Sequence, residues 1–172
     1  MKNGFSLIEL LVVVAIIGVL AGAGIVGYQG YLDGVRADTA VNAARQIVRN
    51  AEQTEIAVDA GLTGAAAACS ADDSTTTARD CWVALADGLN NPFDNNNAIA
   101  AANWSAVANA ATACTATGTL FVVEYPATAT CGGNTAFATA AAGANWADCE
   151  DQTFTLHVCD GATALDEFDI EL

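Results

Sequence analysis

Phe5-Ser6-Leu7-Ile8-Glu9-Leu10-Leu11-Val12-Val13-Val14-Ala15-Ile16-Ile17-Gly18-Val19-Leu20 decides how the rest of this 172-residue chain is read. Four residues precede it, Met1-Lys2-Asn3-Gly4, with one positive side chain among them. Leu10 to Tyr28 is an unbroken run of nineteen apolar residues and glycines. At 1.5 Å per residue, a helix of that length crosses a hydrocarbon layer of ~30 Å. A secretory signal usually has a shorter apolar stretch followed by a small-residue cleavage site. Small residues do occur after Gly18, so composition alone leaves export by such a signal open. Glu9 weighs against it. An acidic side chain costs about 2.5–3.5 kcal/mol at the centre of a span and less near its end. Such a glutamate is either solvated at the headgroup boundary or held for a partner.

Together with Gly4, the quoted stretch resembles the N-terminal motif of type IV prepilins and the related pseudopilins. The resemblance covers residues 1 to 31, and Tyr28 and Tyr31 match aromatic positions just past the span. It implies that a prepilin peptidase cuts between Gly4 and Phe5 and methylates the new amino terminus at Phe5. Glu9 then falls fifth in the mature chain, where the family has its glutamate. It further implies a structural subunit of a type IV pilus, built into a helical filament through the N-terminal helix. Adhesion, motility or DNA uptake would be properties of that filament. The implied partners are identical or related pilins, the peptidase and an inner-membrane assembly platform. The precursor would reside in the inner membrane and the mature chain in an extracellular surface filament. A pseudopilin of a type II secretion system is the alternative. A monomeric membrane-anchored binding module, using its N-terminus only for export, is a third reading.

Electrostatics gives the implied mechanism a physical basis. Cleavage creates an amine at Phe5, four residues from Glu9. In the apolar core of a filament, that amine and the Glu9 carboxylate of a neighbour attract far more strongly than in water. Either one left unpaired there is penalised. Glu9 is thus expected to sense register during assembly. One departure concerns Val26, where many family members have a proline linked to a locally unwound stretch. Gly18, Gly22, Gly24, Gly27 and Gly30 cluster in that region instead. Each disfavours helix by up to ~1 kcal/mol relative to alanine, which would soften the same segment. Alternatively, Gly18-x-x-x-Gly22 and Gly30-x-x-x-Gly34 are small-residue faces for close helix contact.

Beyond Tyr31, apolar residues recur at helical spacing: Val41, Ala44, Ile47, Val48, Ala51 and Val58. The helix is therefore expected to continue to about Asp59 and stop at Gly61-Leu62-Thr63-Gly64, with its second half against a head. Arg45 and Arg49 lie among acids on this stretch, with Glu52 within reach of Arg49. Contact with acidic surfaces of neighbouring heads is the sharper alternative for them. The expected organisation is a leader at 1–4, an assembly helix at 5–28, an amphipathic continuation at 29–59 and a head at 60–172.

The net charge of −15 is unevenly placed, since from residue 60 onward Arg79 is the one Lys or Arg against fourteen carboxylates. Such a field repels phosphate backbones, so nucleic-acid binding by the head is disfavoured. Six cysteines, Cys69, Cys81, Cys114, Cys131, Cys149 and Cys159, lie beyond the apolar run without a C-x-x-C pair. An even count in that position points to disulfides in an oxidising compartment. Spacing favours the local pairs Cys69–Cys81, Cys114–Cys131 and Cys149–Cys159, each worth on the order of 3 kcal/mol by chain entropy. Aromatics are only 7% of the chain, so a large aromatic core is not expected.

The fold class expected is α+β: a long helix packed on a small antiparallel sheet, in keeping with the pilin fold. A short helix is expected at Ala78 to Leu89, ended by Asn90-Asn91-Pro92, and Asn91-Pro92-Phe93-Asp94 resembles the Pro-aromatic turn of some major pseudopilins. Strands are expected at Thr119 to Tyr125 and Thr153 to Val158, and less firmly patterned ones at Ala136 to Thr139 and Phe168 to Leu172. No catalytic motif is present, so no enzyme and no cofactor are expected. His157 reads as a sheet residue; with Cys159 it lacks the paired spacing of zinc ligands. Asp148, Glu150, Asp151, Asp160, Asp166, Glu167 and Asp169 show no calcium-loop spacing and read as solvated acid. No metal site is expected. Asn103-Trp104-Ser105 is a formal glycosylation sequon.

Overall fold

The structure, a computed structural model, describes residues 6–61, 78–94, 97–107, 114–115, 119–124 and 153–171. Its first element, α1, is an unbroken α-helix, Leu7–Asp59. The chain divides into two units, Met1–Arg36 and Ala37–Leu172.

In the first unit, the helix runs through Gly18, Gly22, Gly24, Gly27 and Gly30 without interruption. The softening expected there produces no break. A Cβ built at any of these glycines would meet nothing within 4 Å in the chain itself. Their small size therefore answers no packing demand inside a single subunit.

The second unit begins on the same helix and closes around it. Ala40, Ala44, Ile47 and Ala51 are fully buried, at the helical spacing that one face provides. Val41 and Val48 are partly buried beside them. The helix ends at Asp59, followed by a turn in which Gly61 has φ +66°. That left-handed conformation, open to glycine at no steric cost, is the usual way to end a helix.

A short helix α2, Ala78–Leu85, packs Cys81, Trp82 and Leu85 into the core. It ends four residues before the expected Leu89. The Asn50 side chain on α1 donates to the exposed end of α2, Nδ2 to Leu85 O at 2.9 Å. One of the last carbonyls of a helix lacks an internal partner, and Asn50 supplies it. Two short strands follow, β1 (Asn90–Asn91) and β2 (Asn97–Ala98), paired antiparallel.

The main sheet has four strands in the order β3-β4-β5-β6. They are β3 (Trp104–Val107), β4 (Phe121–Glu124), β5 (Thr153–Asp160) and β6 (Thr163–Glu171). Strands β4, β5 and β6 run antiparallel, as the patterning indicated. The last begins at Thr163, earlier than the expected Phe168. Strand β3 was not foreseen, and it pairs with β4 in parallel. Parallel neighbours need a crossover of a dozen or more residues, and 108–120 supplies thirteen. The expected strand at Ala136 to Thr139 lies outside the described residues.

Gly161, with φ +59°, opens the two-residue turn between Asp160 and Thr163. A positive φ there matches the twist of the flanking strands. A register shift between Val158 and Cys159 marks a bulge opposite Leu165.

One sheet face supplies Phe121, Val123, Phe154, Leu156, Val158 and Ile170 to the core against α1 and α2. Among the described residues, Trp82, Trp104, Phe121 and Phe154 are the buried aromatic side chains, a small group within an otherwise aliphatic core. Trp82 and Trp104 rings lie 6.0 Å apart, and Trp104 and Phe121 rings 5.0 Å apart, both tilted. Such ring pairs contribute about 0.5–1.5 kcal/mol beyond their buried area.

Candidate processing and assembly site

Ser6 precedes the first helical residue, Leu7, and Glu9 is third in the helix. This S-x-x-E arrangement is the sequence form of a capping box. The structure closes the half that Glu9 makes: the Ser6 N–H donates to Glu9 Oε2 at 2.9 Å. The Ser6 carbonyl in turn accepts from Glu9 N at 3.0 Å and Leu10 N at 3.3 Å. The first N–H groups of any helix lack internal partners, and the positive end of its dipole favours an acid. Glu9 therefore has a local role in addition to the two weighed from sequence, solvation at the headgroup boundary and a buried partner. The signal was present in Ser6-Leu7-Ile8-Glu9 itself. Gly4 and Phe5, the expected cleavage and methylation residues, lie outside the described residues.

On both sides of Glu9, the helix presents its apolar residues outward. Leu7, Ile8, Val19 and Val26 are among the most exposed large hydrophobic side chains. The helix is long and apolar enough to cross a membrane, and none of its most apolar window is buried within the chain. So long an uncovered apolar surface is unfavourable in water and needs lipid or other protein around it.

Residues 1–25 match the family model for the prokaryotic N-terminal methylation motif. The chain carries the signature of type IV pilins and pseudopilins. Pilin-type proteins with this motif are a structural, non-enzymatic group. No curated protein and no solved structure gives a match to the chain. The pilin signature ends inside the first unit, so the head is characterised by its own residues.

In that head, Cys114 and Cys159 form a disulfide, with Cα atoms 5.4 Å apart and a sequence separation of 45. This overturns the local pairs Cys114–Cys131 and Cys149–Cys159. Spacing along the chain measures loop closure, but the sheet decides which cysteines meet. Cys159 sits near the end of β5 on the face opposite the main core, where Val122 and Cys114 pack against it. Cys81 is also disulfide-bonded. Its partner lies outside the described residues, as do Cys69, Cys131 and Cys149 themselves.

His157 is a sheet residue, as its sequence context indicated. It is buried on β5, and its Nε2 lies 2.9 Å from Glu124 Oε2 on β4. Its Nδ1 is 3.7 Å from Glu167 Oε2 on β6. Three strands thus meet at one imidazole. The disulfide consumes Cys159, so it cannot join His157 on a metal. Among the described residues, no group of three or more His, Cys, Asp or Glu is placed to hold a metal ion. Of the acids weighed for calcium, Asp148, Glu150 and Asp151 lie outside the described residues.

Arg45 turns toward the sheet. Its Nη2 is 3.7 Å from Asp166 Oδ2, its Cζ lies 5.7 Å from the Phe168 ring centroid, and Nη1 donates to Asn42 Oδ1 at 3.1 Å. Among the described residues, no ion pair joins Arg49 to Glu52. In the sequon, the Asn103 carboxamide accepts from Ala100 N at 2.9 Å and Trp104 is buried in the core. The segment is therefore folded into the head.

Proposed function

We propose that this protein is a structural subunit of a type IV pilus, without catalytic activity of its own. The observation that carries the reading is the exposed apolar first part of α1, in which Glu9, at its start, is the one carboxylate before Asp33. Such a helix is accommodated by lipid before assembly and by copies of itself afterwards. In this reading a prepilin peptidase cleaves between Gly4 and Phe5 and methylates Phe5. The released amine then meets the Glu9 carboxylate of an adjacent subunit as the subunit leaves the inner membrane through an assembly platform. The disulfide-bonded head, with its acidic surface, suits exposure outside the cell.

A pseudopilin of a secretion machine would share every one of these steps, and the Asn91-Pro92-Phe93-Asp94 turn favours that second reading. Isolation of surface filaments with mass spectrometry of their N-termini tests both. Abundant filaments whose chains begin with methylated Phe5 are the expected result. A mature chain that retains Met1, or that begins beyond Gly18 and never enters a polymer, refutes the proposal.

A further inference from the structure

We propose that the head carries a saccharide-binding site in a cavity at one end of the main sheet. The cavity, about 360 Å³, is formed where the turn after β1, the residue pair leading into β4 and the β5–β6 turn come together. Its lining includes Asn91, Phe93, Asp94, Thr119 and Asp160. The site lies wholly within the second unit and does not depend on polymerisation.

Two of these polar residues are more than nine-tenths buried yet have unused hydrogen-bonding capacity. Asn91 is 4% exposed and Thr119 is 7% exposed. The Asn91 Oδ1 accepts from Phe93 N at 2.9 Å, while its Nδ2 has no partner among the described residues. The Thr119 hydroxyl likewise has none. Neither group is sealed off from the cavity that it lines. Each can exchange the water it meets for a ligand hydrogen bond, so a cavity lined by them favours a polar occupant over an apolar one.

The walls are held largely by main-chain bonds, with the Asn91 side chain adding its own bond to Phe93 N. Asp94 N donates to Asn91 O at 3.3 Å and Asn97 N to Asp94 O at 2.8 Å, which fixes the turn. Leu120 N donates to Asn103 O at 2.9 Å, and Cys159 N to Leu120 O at 2.8 Å, which ties the residues just before β3 and β4 to β5 along the cavity wall. A preformed site of this kind loses little entropy on binding.

The chemistry of the lining selects the ligand class. Asn91 Nδ2 donates, the Thr119 hydroxyl donates or accepts, and the exposed Asp94 and Asp160 carboxylates accept. Phe93, half-buried, contributes an apolar face. A sugar ring has the complementary pattern: hydroxyls that both donate and accept around its edge, and a C–H face that lies on an aromatic ring. Hydroxyls donating to ionised carboxylates form the stronger class of hydrogen bond. Two carboxylates repel phosphates and other anions. A single cation needs oxygens converging at about 2.3–2.6 Å, and a space this large beside an aromatic ring does not supply that convergence.

The test uses the full chain in micelles of a detergent without a sugar headgroup. Saturation-transfer NMR is recorded with galactose, glucose, mannose and N-acetylglucosamine as probes, alongside calorimetry with calcium chloride. At least one sugar is expected to bind saturably, in the ~millimolar range. Asp160→Ala and Thr119→Val are each expected to weaken that binding about tenfold while leaving the circular dichroism unchanged. Thr119→Val conserves shape, and it decides the matter if Asp160→Ala disturbs folding. No saturable sugar binding, or binding unaffected by both substitutions, overturns the proposal. Calcium binding that is lost in Asp160→Ala, with no sugar binding, overturns it in favour of a cation site.

Discussion

The Ser6 backbone N–H donates to the Glu9 carboxylate at 2.9 Å, across the first turn of α1. One carboxylate thus has two tasks open to it, capping its own helix and meeting an amine in a filament. Substitution separates them. Glutamine at this position still reaches the Ser6 N–H but carries no charge. Glu9→Gln and Glu9→Leu are both expected to leave the precursor in the membrane. Both should lower filament incorporation by about a hundredfold or more, the scale of an unpaired buried charge. Immunoblots of sheared surface filaments against membrane fractions measure this. Wild-type yield from Glu9→Gln would mean that capping alone suffices.

The Cys114–Cys159 disulfide closes a loop spanning 45 positions. In the chain-entropy account, a loop of that length is worth about 4 kcal/mol. Replacing both cysteines by serine is expected to lower the head's unfolding free energy by about 2–4 kcal/mol. Urea unfolding followed by tryptophan fluorescence reads the change, since Trp82 and Trp104 are both buried. A loss below ~1 kcal/mol would show that the bridge adds little to this head.

Glu124 reaches across from β4 to the buried His157 on β5. Glu124→Ala should cost about 1–2 kcal/mol, and Glu124→Gln less, because the carboxamide still hydrogen-bonds with Nε2. A double-mutant cycle with His157→Phe should return a coupling of at least ~0.5 kcal/mol. Strict additivity would count against the contact.

Ala44 is fully buried where α1 meets the rest of the head. A methyl group is all the space admits, so Ala44→Leu is expected to destabilise by about 1–3 kcal/mol through overpacking. Ala44→Gly should cost about 1 kcal/mol by helix propensity alone. Thermal unfolding of both variants distinguishes crowding from propensity. A larger loss for glycine than for leucine would place the helix farther from the sheet than described.

The extent of α1 was legible because its signals are local. An apolar run sets its first half, helical spacing from Val41 to Ala51 its second, and Gly61 its end. Strands β4 and β5 were legible for the same reason, one as a β-branched and aromatic run and the other by period-two alternation, whereas β6 was read only from Phe168 onward and its first half, Thr163 to Glu167, was not. Strand β3 was not. Trp104-Ser105-Ala106-Val107 is a short segment in an alanine-rich stretch, and only its parallel neighbour Phe121-Val122-Val123-Glu124 makes it a strand. At the N-terminus, the methylation signature and Glu9 were read directly, but the capping role of Glu9 was passed over in favour of its charge.

The sequence by itself determined the helix, its apolar first half, the pilin signature and the acidic, cysteine-bearing head. Periodicity, composition and short motifs carry these, and each acts within a few residues. Only the tertiary structure decided that Cys114 meets Cys159, that His157 lies between Glu124 and Glu167, and that Asn91 and Thr119 face one cavity. Those contacts join residues far apart in the chain. They depend on strand order and register, which arise when the whole sheet closes on the helix and are written in no single segment.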